Sequence, residues 1–292
     1  MEFVSKSMPW EEIKILPIGD IQWFGRESEV AIGMLARAIE WGVENKCWFI
    51  GMGDYIDAFS PSNRAEIKSA KVYDSARTVF DDKAEDLVMQ LFERALKPSV
   101  GRWLGLLEGH HFHEYQNGTT TDQQLCKLLK APFLGTLGYI RLKFQDKSKR
   151  RGTVLIWCHH GAGSGQSEGY VLNKLGRLAG YWREADIFIM GHTHQKVGKP
   201  LDSIRAIWPV RGARTLPKLV HRTVIIAGTG GFLRGYIEGR TQGDIPRGTY
   251  IEKAMLAPVA LGSPLLKITP RFKRHVVGEN NSVWLPDLGV EL

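Results

Sequence analysis

Apolar residues recur along this chain both as short runs and at helical spacings of three and four. Residues 11–19 predict a short buried strand carrying Ile13, Ile15 and Ile18, with Asp20 directly after it. Pro17 argues against a central place in a sheet, because it has no N–H for the ladder. From Ser28 to Lys46, Ala31, Met34, Leu35 and Ala38 share one helical face. Cys47 to Met52 is a second apolar run, ending in Gly53-Asp54. Asp74 to Leu96 predicts a helix through Val79, Leu87, Leu91 and Ala95, stopped by Pro98. Trp103 to Leu107 leads into Gly109-His110-His111, and Thr121 to Leu129 reads as a helix with Asp122 near its start. Tyr139 to Phe144 and Thr153 to Trp157 predict a hairpin around a basic turn. Val171, Leu172, Leu175, Leu178 and Ala179 mark a helix, and Asp186 to Met190 a strand. Val224 to Ala227 and Leu265 to Ile268 predict two more strands. Strands that alternate with helices imply an α/β or α+β layered fold. No repeat, low-complexity segment or linker interrupts the pattern, so one domain over residues 1–292 is expected.

Composition narrows the class. With 292 residues, 43% hydrophobic and 24% charged, the chain is neither a disordered tail nor a disulfide-stapled miniprotein. No apolar run reaches membrane-spanning length, so no membrane partner is expected. Met1 to Trp10 lacks a basic stretch followed by an apolar one, so no signal peptide is predicted. Cys47, Cys126 and Cys158 are odd in number and unrelated in spacing, as reduced thiols in a cytoplasm would be. The net charge of +8 biases the chain toward polyanions such as nucleic acid, although solubility alone would also explain it. Between Lys196 and Arg222, seven cations face one acid, Asp202, giving +6 in a basic insertion. Arg205, Arg211 and Arg214 are the candidate phosphate-backbone contacts within it. Such a stretch is also what a solvated face looks like.

Histidine placement changes the picture more. Seven of nine histidines fall in three tight groups: His110, His111 and His113; His159 and His160; His192 and His194. Asp20, Asp54, His110, His159 and the Gly191-His192-Thr193-His194 group each follow an apolar run. They therefore fall at the C-terminal ends of predicted strands, where open α/β sheets bind ligands. Carboxylates mixed with imidazoles suit two divalent ions of the manganese, iron or zinc kind. Asp20 and Asp54 could instead be turn or cap residues, since Asp favours both. His159 and His160 are adjacent and point apart, so at most one is expected to be a ligand. Gly161-Ala162-Gly163-Ser164-Gly165 could cradle a phosphate, but it lacks the Lys-Ser/Thr of a phosphate-binding loop, which favours a flexible loop. The tryptophans read as core. Trp23, next to Gln22, is the one placed to stack on a base.

In order and spacing these blocks resemble the calcineurin-like metallophosphoesterases, whose signature runs Asp-x-His, Gly-Asp-x-x-Asp, Gly-Asn-His-Glu/Asp, a lone His, then Gly-His-x-His. Here it reads Asp20-Ile21-Gln22, Gly53-Asp54-Tyr55-Ile56-Asp57, Gly109-His110-His111, Cys158-His159-His160-Gly161 and Gly191-His192-Thr193-His194. The resemblance spans residues 13 to about 195. Tyr250-Ile251-Glu252-Lys253 resembles phage-type members.

The resemblance implies a four-layer sandwich, two mixed β-sheets flanked by helices, and a pair of divalent ions. Manganese is expected first, with zinc, iron or nickel as alternatives. It implies that Asp20, Gln22, Asp54 and His194 hold one ion, and that Asp54, His110, His159 and His192 hold the other. A shared hydroxide would attack phosphorus between ions about 3.5–4 Å apart. His111 would serve the leaving oxygen, Asp57 would orient His111, and His160 would contact substrate or fill space.

Two departures stand out. Gln22 replaces the family's first histidine, as in some manganese-dependent nucleotide-diphosphate hydrolases of the superfamily, and His110 replaces Asn. His113-Glu114 offers an alternative register to His110-His111. The expected activity is phosphoester hydrolysis, a phosphodiesterase first and a nuclease as its sharper form. The runner-up is a phosphomonoesterase or nucleotide pyrophosphohydrolase. A third reading is a non-catalytic nucleic-acid or protein-binding module on a degenerate metal site. Residues 229–292 form a C-terminal extension that could cap the site, extend a sheet or contact a second copy. Oligomeric state is not encoded in any pattern found.

Overall fold

The computed structural model describes residues 1–70, 74–163, 165, 167–207, 218–274 and 282–292. In chain order its first strands are β1 (Glu2–Met8), β2 (Ile13–Ile18), β3 (Trp48–Gly51), β4 (Trp103–Leu107), β5 (Phe133–Gly135) and β6 (Leu137–Gln145). There follow β7 (Arg151–His159), β8 (Ile187–Met190), β9 (Lys196–Ile207), β10 (Lys218–Thr229), β11 (Thr241–Gln242) and β12 (Ile245–Pro246). The last are β13 (Leu265–Thr269), β14 (Phe272–Arg274), β15 (Ser282–Trp284) and β16 (Asp287–Glu291). The helices are α1 (Ile32–Glu44), α2 (Pro61–Ser69), α3 (Asp74–Leu91), α4 (Thr121–Leu129), α5 (Glu168–Tyr181) and the short α6 (Tyr250–Lys253).

Two mixed six-stranded sheets carry the fold. Sheet A has the order β1-β6-β7-β8-β10-β9 and sheet B the order β16-β13-β2-β3-β4-β5. The pairs β2–β3, β3–β4, β7–β8 and β8–β10 are parallel. Three apolar clusters account for the layers. Leu35 and Ile39 of α1, Leu87 and Leu91 of α3, and Leu125 and Leu129 of α4 pack on one face of sheet B. Ile15, Ile50, Ile140, Ile156 and Ile189 fill the space between the sheets. Val171 and Leu175 of α5 cover the outer face of sheet A. Each fully buried aliphatic side chain here contributes roughly 1.5–3 kcal/mol. This is the four-layer architecture the resemblance implies.

Local chemistry sets the boundaries. Thr120 and Gln123 form a capping box that starts α4 where the sequence places it. Helix α1 begins at Ile32, later than Ser28, because the preceding turn is engaged elsewhere: Val30 bridges to Leu233, and the Ala31 N–H donates to the Phe232 carbonyl at 2.8 Å. Helix α3 does not run regularly to Leu96. It widens over Phe92–Leu96 and then tightens over Lys97–Ser99 at Pro98. Pro17 does sit inside a central strand. The Ile18 carbonyl and the Asp20 N–H bond toward β3, so by alternation Pro17 faces the β13 side. There the ladder has already ended at Ile15–Leu266, and Ser263 Oγ donates to the Pro17 carbonyl at 2.6 Å.

The described residues of the basic segment lie on two strands. β9 and β10 pair along their whole length as an antiparallel hairpin at the edge of sheet A. Arg211 and Arg214 lie outside the described residues. The C-terminal extension adds β13 and β16 to sheet B. Among the described residues, no helix is long and apolar enough to cross a membrane. Cys47, Cys126 and Cys158 are buried free thiols.

Candidate metal centre

The candidate ligands come from turns that leave the C-terminal ends of parallel strands in both sheets. Asp20 follows β2, Asp54 follows β3 and His110 follows β4 in sheet B. His160 follows β7 and His192 follows β8 in sheet A. Five of these turn residues hold left-handed backbone: Asp20 (φ 49°), Gln22 (51°), Asp54 (52°), His192 (69°) and His194 (55°). That conformation costs roughly 1–2 kcal/mol for a residue with a Cβ and concentrates at functional sites. Two glycines let the turns touch. A Cβ on Gly109 would lie 2.1 Å from Asp54 N, and one on Gly53 (φ 92°) would lie 2.7 Å from the Gly109 Cα. The Gly-Asp and Gly-His-His blocks therefore pack backbone against backbone.

Asp54, His110, His160 and His192 converge, with one donor atom from each lying within 4.8 Å of the others. Such a cluster is capable of coordinating a divalent ion. His110 Nδ1 and His192 Nδ1 are 3.3 Å apart. His160 Nε2 is buried and lies 3.2 Å from Asp54 Oδ2. Its Nδ1 is 2.7 Å from the Met52 carbonyl, which fixes the tautomer and leaves Nε2 as the donor. His192 is likewise held through Nε2 on the Gly163 carbonyl at 3.1 Å. A buried imidazole nitrogen facing a carboxylate and two further imidazoles fits an ion of the zinc, manganese or iron kind.

The clustered groups are electrostatically coupled. Burial opposes the Asp54 charge, but the His160 and His111 rings and the His110 N–H outweigh it and hold the carboxyl below its usual range. Burial also opposes charging His160, but Asp54 prevails and pushes that ring up to about 9. Burial and the neighbouring His160 push His110 down to about 4. Burial likewise lowers His192.

Beside this cluster, Asp20 is fully buried. It accepts the His192 N–H at 2.9 and 3.1 Å and the Thr229 hydroxyl at 3.3 Å, and His194 Nε2 lies 3.7 Å away. Burial raises its pKa. Gln22 lines the adjoining cleft with Asp54, His111 and His194. His111 Nδ1 is 2.8 Å from Asp57 Oδ1, which holds the ring above its ordinary pKa, and its Nε2 is 3.9 Å from Asp54 Oδ2.

The structure does not bring His159 into the cluster. Trp157 and His159 share the outer face of β7, their rings stacked with centroids 5.9 Å apart. His159 Nδ1 accepts the Gly161 N–H at 2.8 Å. Cys158 faces the space between the sheets, and His160 follows it by the two-residue alternation. His113 also stays out, its Nε2 on Asp81 at 2.6 Å. Trp23 is buried in the core, and its neighbour Phe24 lines the cleft instead. Arg205 pairs with Val220, nine positions along β9 from the Lys196–Thr229 pair beside the site. At about 3.4 Å per residue that is roughly 30 Å away. Arg205 binds Glu184 at 3.0 Å, and Arg222 binds Asp186 at 3.1 Å.

Sequence reasoning missed several supporting residues. Arg64 on α2 gathers the carbonyls of Phe59, His110 and Phe112 at 2.6, 2.7 and 2.9 Å, clamping the loop that carries His110 and His111. Asp122 accepts the Gly109 N–H at 2.9 Å, and burial pushes its carboxyl up to about 7. Thr229 reaches Asp20 from the C-terminal extension. None lies in a recognisable block, so only the fold reveals them. His160 did carry a signal: Val154, Ile156 and Cys158 alternate on one face of β7, and the parity extends to it.

No family model matches this chain, and no curated protein matches it. Among solved structures, it is similar to a conserved uncharacterized protein, a predicted phosphoesterase, from Streptococcus pneumoniae TIGR4. The identity is 12%, the match covers 96% of this chain and 98% of that one, and the TM-score is 0.31. A score that low leaves the site geometry to carry the functional reading.

Proposed function

We propose that this chain is a metal-dependent phosphoester hydrolase of the calcineurin-like kind, acting on phosphodiesters as one unit over residues 1–292. The observation that carries this reading is the convergence of Asp54, His110, His160 and His192, with the buried His160 Nε2 facing the Asp54 carboxylate at 3.2 Å. These four would hold one ion, with His160 in the place that the resemblance gave to His159. Asp20, Gln22, Asp54 and His194 would hold a second, with Asp54 shared. Manganese is the preferred metal. Bound there, divalent ions supply Lewis-acid stabilisation of phosphoryl charge and acidify water.

The chain's own residues do the rest. Backbone N–H groups of His111 and His192 fix the Asp54 and Asp20 carboxylates at 3.0 Å and 2.9–3.1 Å, so both are oriented before substrate arrives. Asp57 raises the His111 pKa and so favours its protonated form, and His111 would deliver that proton to the leaving oxygen. The sharper nuclease form has no support from Arg205 or Arg222, whose guanidinium groups are engaged far from the cluster. Buried free thiols suit a reducing compartment such as the cytoplasm.

The test is manganese-dependent hydrolysis of bis-p-nitrophenyl phosphate against p-nitrophenyl phosphate, with a chelator control. Chelator-sensitive turnover that prefers the diester supports the reading. Preference for the monoester replaces it with a phosphatase, and turnover that survives chelation removes the metal from it.

A further inference from the structure

Asp54 and His192 of the cluster line one part of a cleft of about 870 Å³, within the range of sites that enclose a whole organic ligand. A phosphate alone would leave most of that space empty. The other end is walled by the C-terminal extension, from Leu233 to Val259, facing Phe24. Its surface is apolar and aromatic: Phe24, Leu233, Tyr250, Ile251, Leu256 and Val259. Tyr250 is 75% exposed, so its ring has a free face.

Three arginines line the same space, and they differ. Arg240 is fully engaged by the carbonyls of Arg247 and Gly248 at 2.8 and 2.9 Å and by Glu29 at 2.9 Å. Arg26 leans on the same Glu29 at 3.3 Å. Arg234 is anchored only through its backbone N–H, which donates to the Glu29 carbonyl at 2.8 Å. Among the described residues its guanidinium has no hydrogen-bond or ion-pair partner, and the residue is exposed. The carboxylates of the cleft are committed elsewhere, Glu29 to two arginines and Asp57 to His111.

We propose that this end of the cleft is a subsite for the nucleoside part of a nucleotide ester. The base lies against Phe24 and Tyr250, and a second, non-reacting phosphate pairs with Arg234. The assignment rests on the hydrolase reading for the position of the reacting phosphate. Aromatic faces accept any nucleobase by stacking, and a guanidinium fork matches phosphate oxygens bidentately. An acyl chain would satisfy the apolar wall but leave Arg234 unpaired. A simple monoester would reach neither feature.

The experiment measures equilibrium binding of ADP and of inorganic phosphate to the manganese-loaded protein, in wild type, Arg234→Gln and Tyr250→Ala. Both side chains are exposed, and thermal melting checks that the variants fold. Wild type should bind ADP at least about tenfold more tightly than phosphate, and each variant should lower that ratio several-fold, with Arg234→Gln costing about tenfold. A ratio near one in wild type, or one that neither variant moves, overturns the subsite. Diester turnover tells the two readings apart. Turnover with an unmoved ratio sinks the subsite alone. Absent turnover with a ratio that falls in the variants sinks the hydrolase and upholds the subsite.

Discussion

The strand-end turns and the β9–β10 hairpin are the two regions where ionisable residues concentrate, and they sit next to each other in sequence across Gln195. In the turns, short side chains, several on left-handed backbone, converge at a buried junction of two sheets, as His160 does on Asp54. In the hairpin, long side chains on regular strand reach neighbouring acids, as Arg205 does Glu184 and Arg222 does Asp186. Charge density alone does not separate them. What separates them is whether the backbone pays strain to converge the groups, or merely spaces them along a ladder.

That contrast breaks first at Asp54. Asp54→Ala removes the carboxylate shared by both proposed ion sites and should lower chelator-sensitive turnover by at least about 10³-fold. Metal content by elemental analysis should fall with it. Retained turnover would mean that the turns are ordinary caps. Next in size, His160→Ala should weaken metal binding by about 100-fold or more, whereas His159→Ala should leave it within about twofold. The reverse result would restore the assignment that the motif alone suggested.

Arg64→Ala tests whether the loop clamp matters. We expect kcat to fall about 10- to 100-fold with KM little changed, and Arg64→Lys to recover part of it, because an ammonium also offers several N–H donors from one nitrogen but on a different stem. Asp122 supplies a pH signature. Its carboxyl titrates near 3.8 when unfolded and at about 7 when folded, so below about 4 both states are protonated and no penalty arises. Between those values the unfolded chain ionises and the folded chain does not, so stability falls as pH rises, by a few kcal/mol at most. Asp122→Asn should flatten that slope in thermal melts. Unchanged melting across the range would place the titration elsewhere.

The smallest effects belong to the hairpin. Arg222→Ala strands the largely buried Asp186 and should cost about 1–3 kcal/mol of stability with kcat/KM within about twofold. Arg205→Ala, an exposed pair, should cost under about 1 kcal/mol and leave the salt dependence of substrate binding unchanged. A flattened salt dependence in Arg205→Ala would bring nucleic acid back to this edge.

Much of the fold was legible. Ile13 to Ile18, Cys47 to Met52 and Trp103 to Leu107 were legible as strands, now adjacent and parallel, because their apolar runs are short and each is followed closely by glycine. The misreadings have one physical origin, contact with distant chain. Helix α1 starts late because Ala31 binds Phe232. Pro17 survives in a central strand because β13 stops short of it. Trp23 does take the core place expected of it, with Phe24 toward the cleft, a choice made by the pairing of Trp23 with Ile56.

Residue identity by itself determined the chemistry: imidazoles and carboxylates placed after apolar runs, whatever the strands later did. It also determined the layers, since periodicity decides which faces must be buried. Tertiary structure decided which of two adjacent histidines meets Asp54, because strand parity is fixed by the sheet that β7 joins. It decided, too, that residues 233–259 close the cleft, because a cavity is made by segments far apart in sequence and no local pattern encodes their meeting.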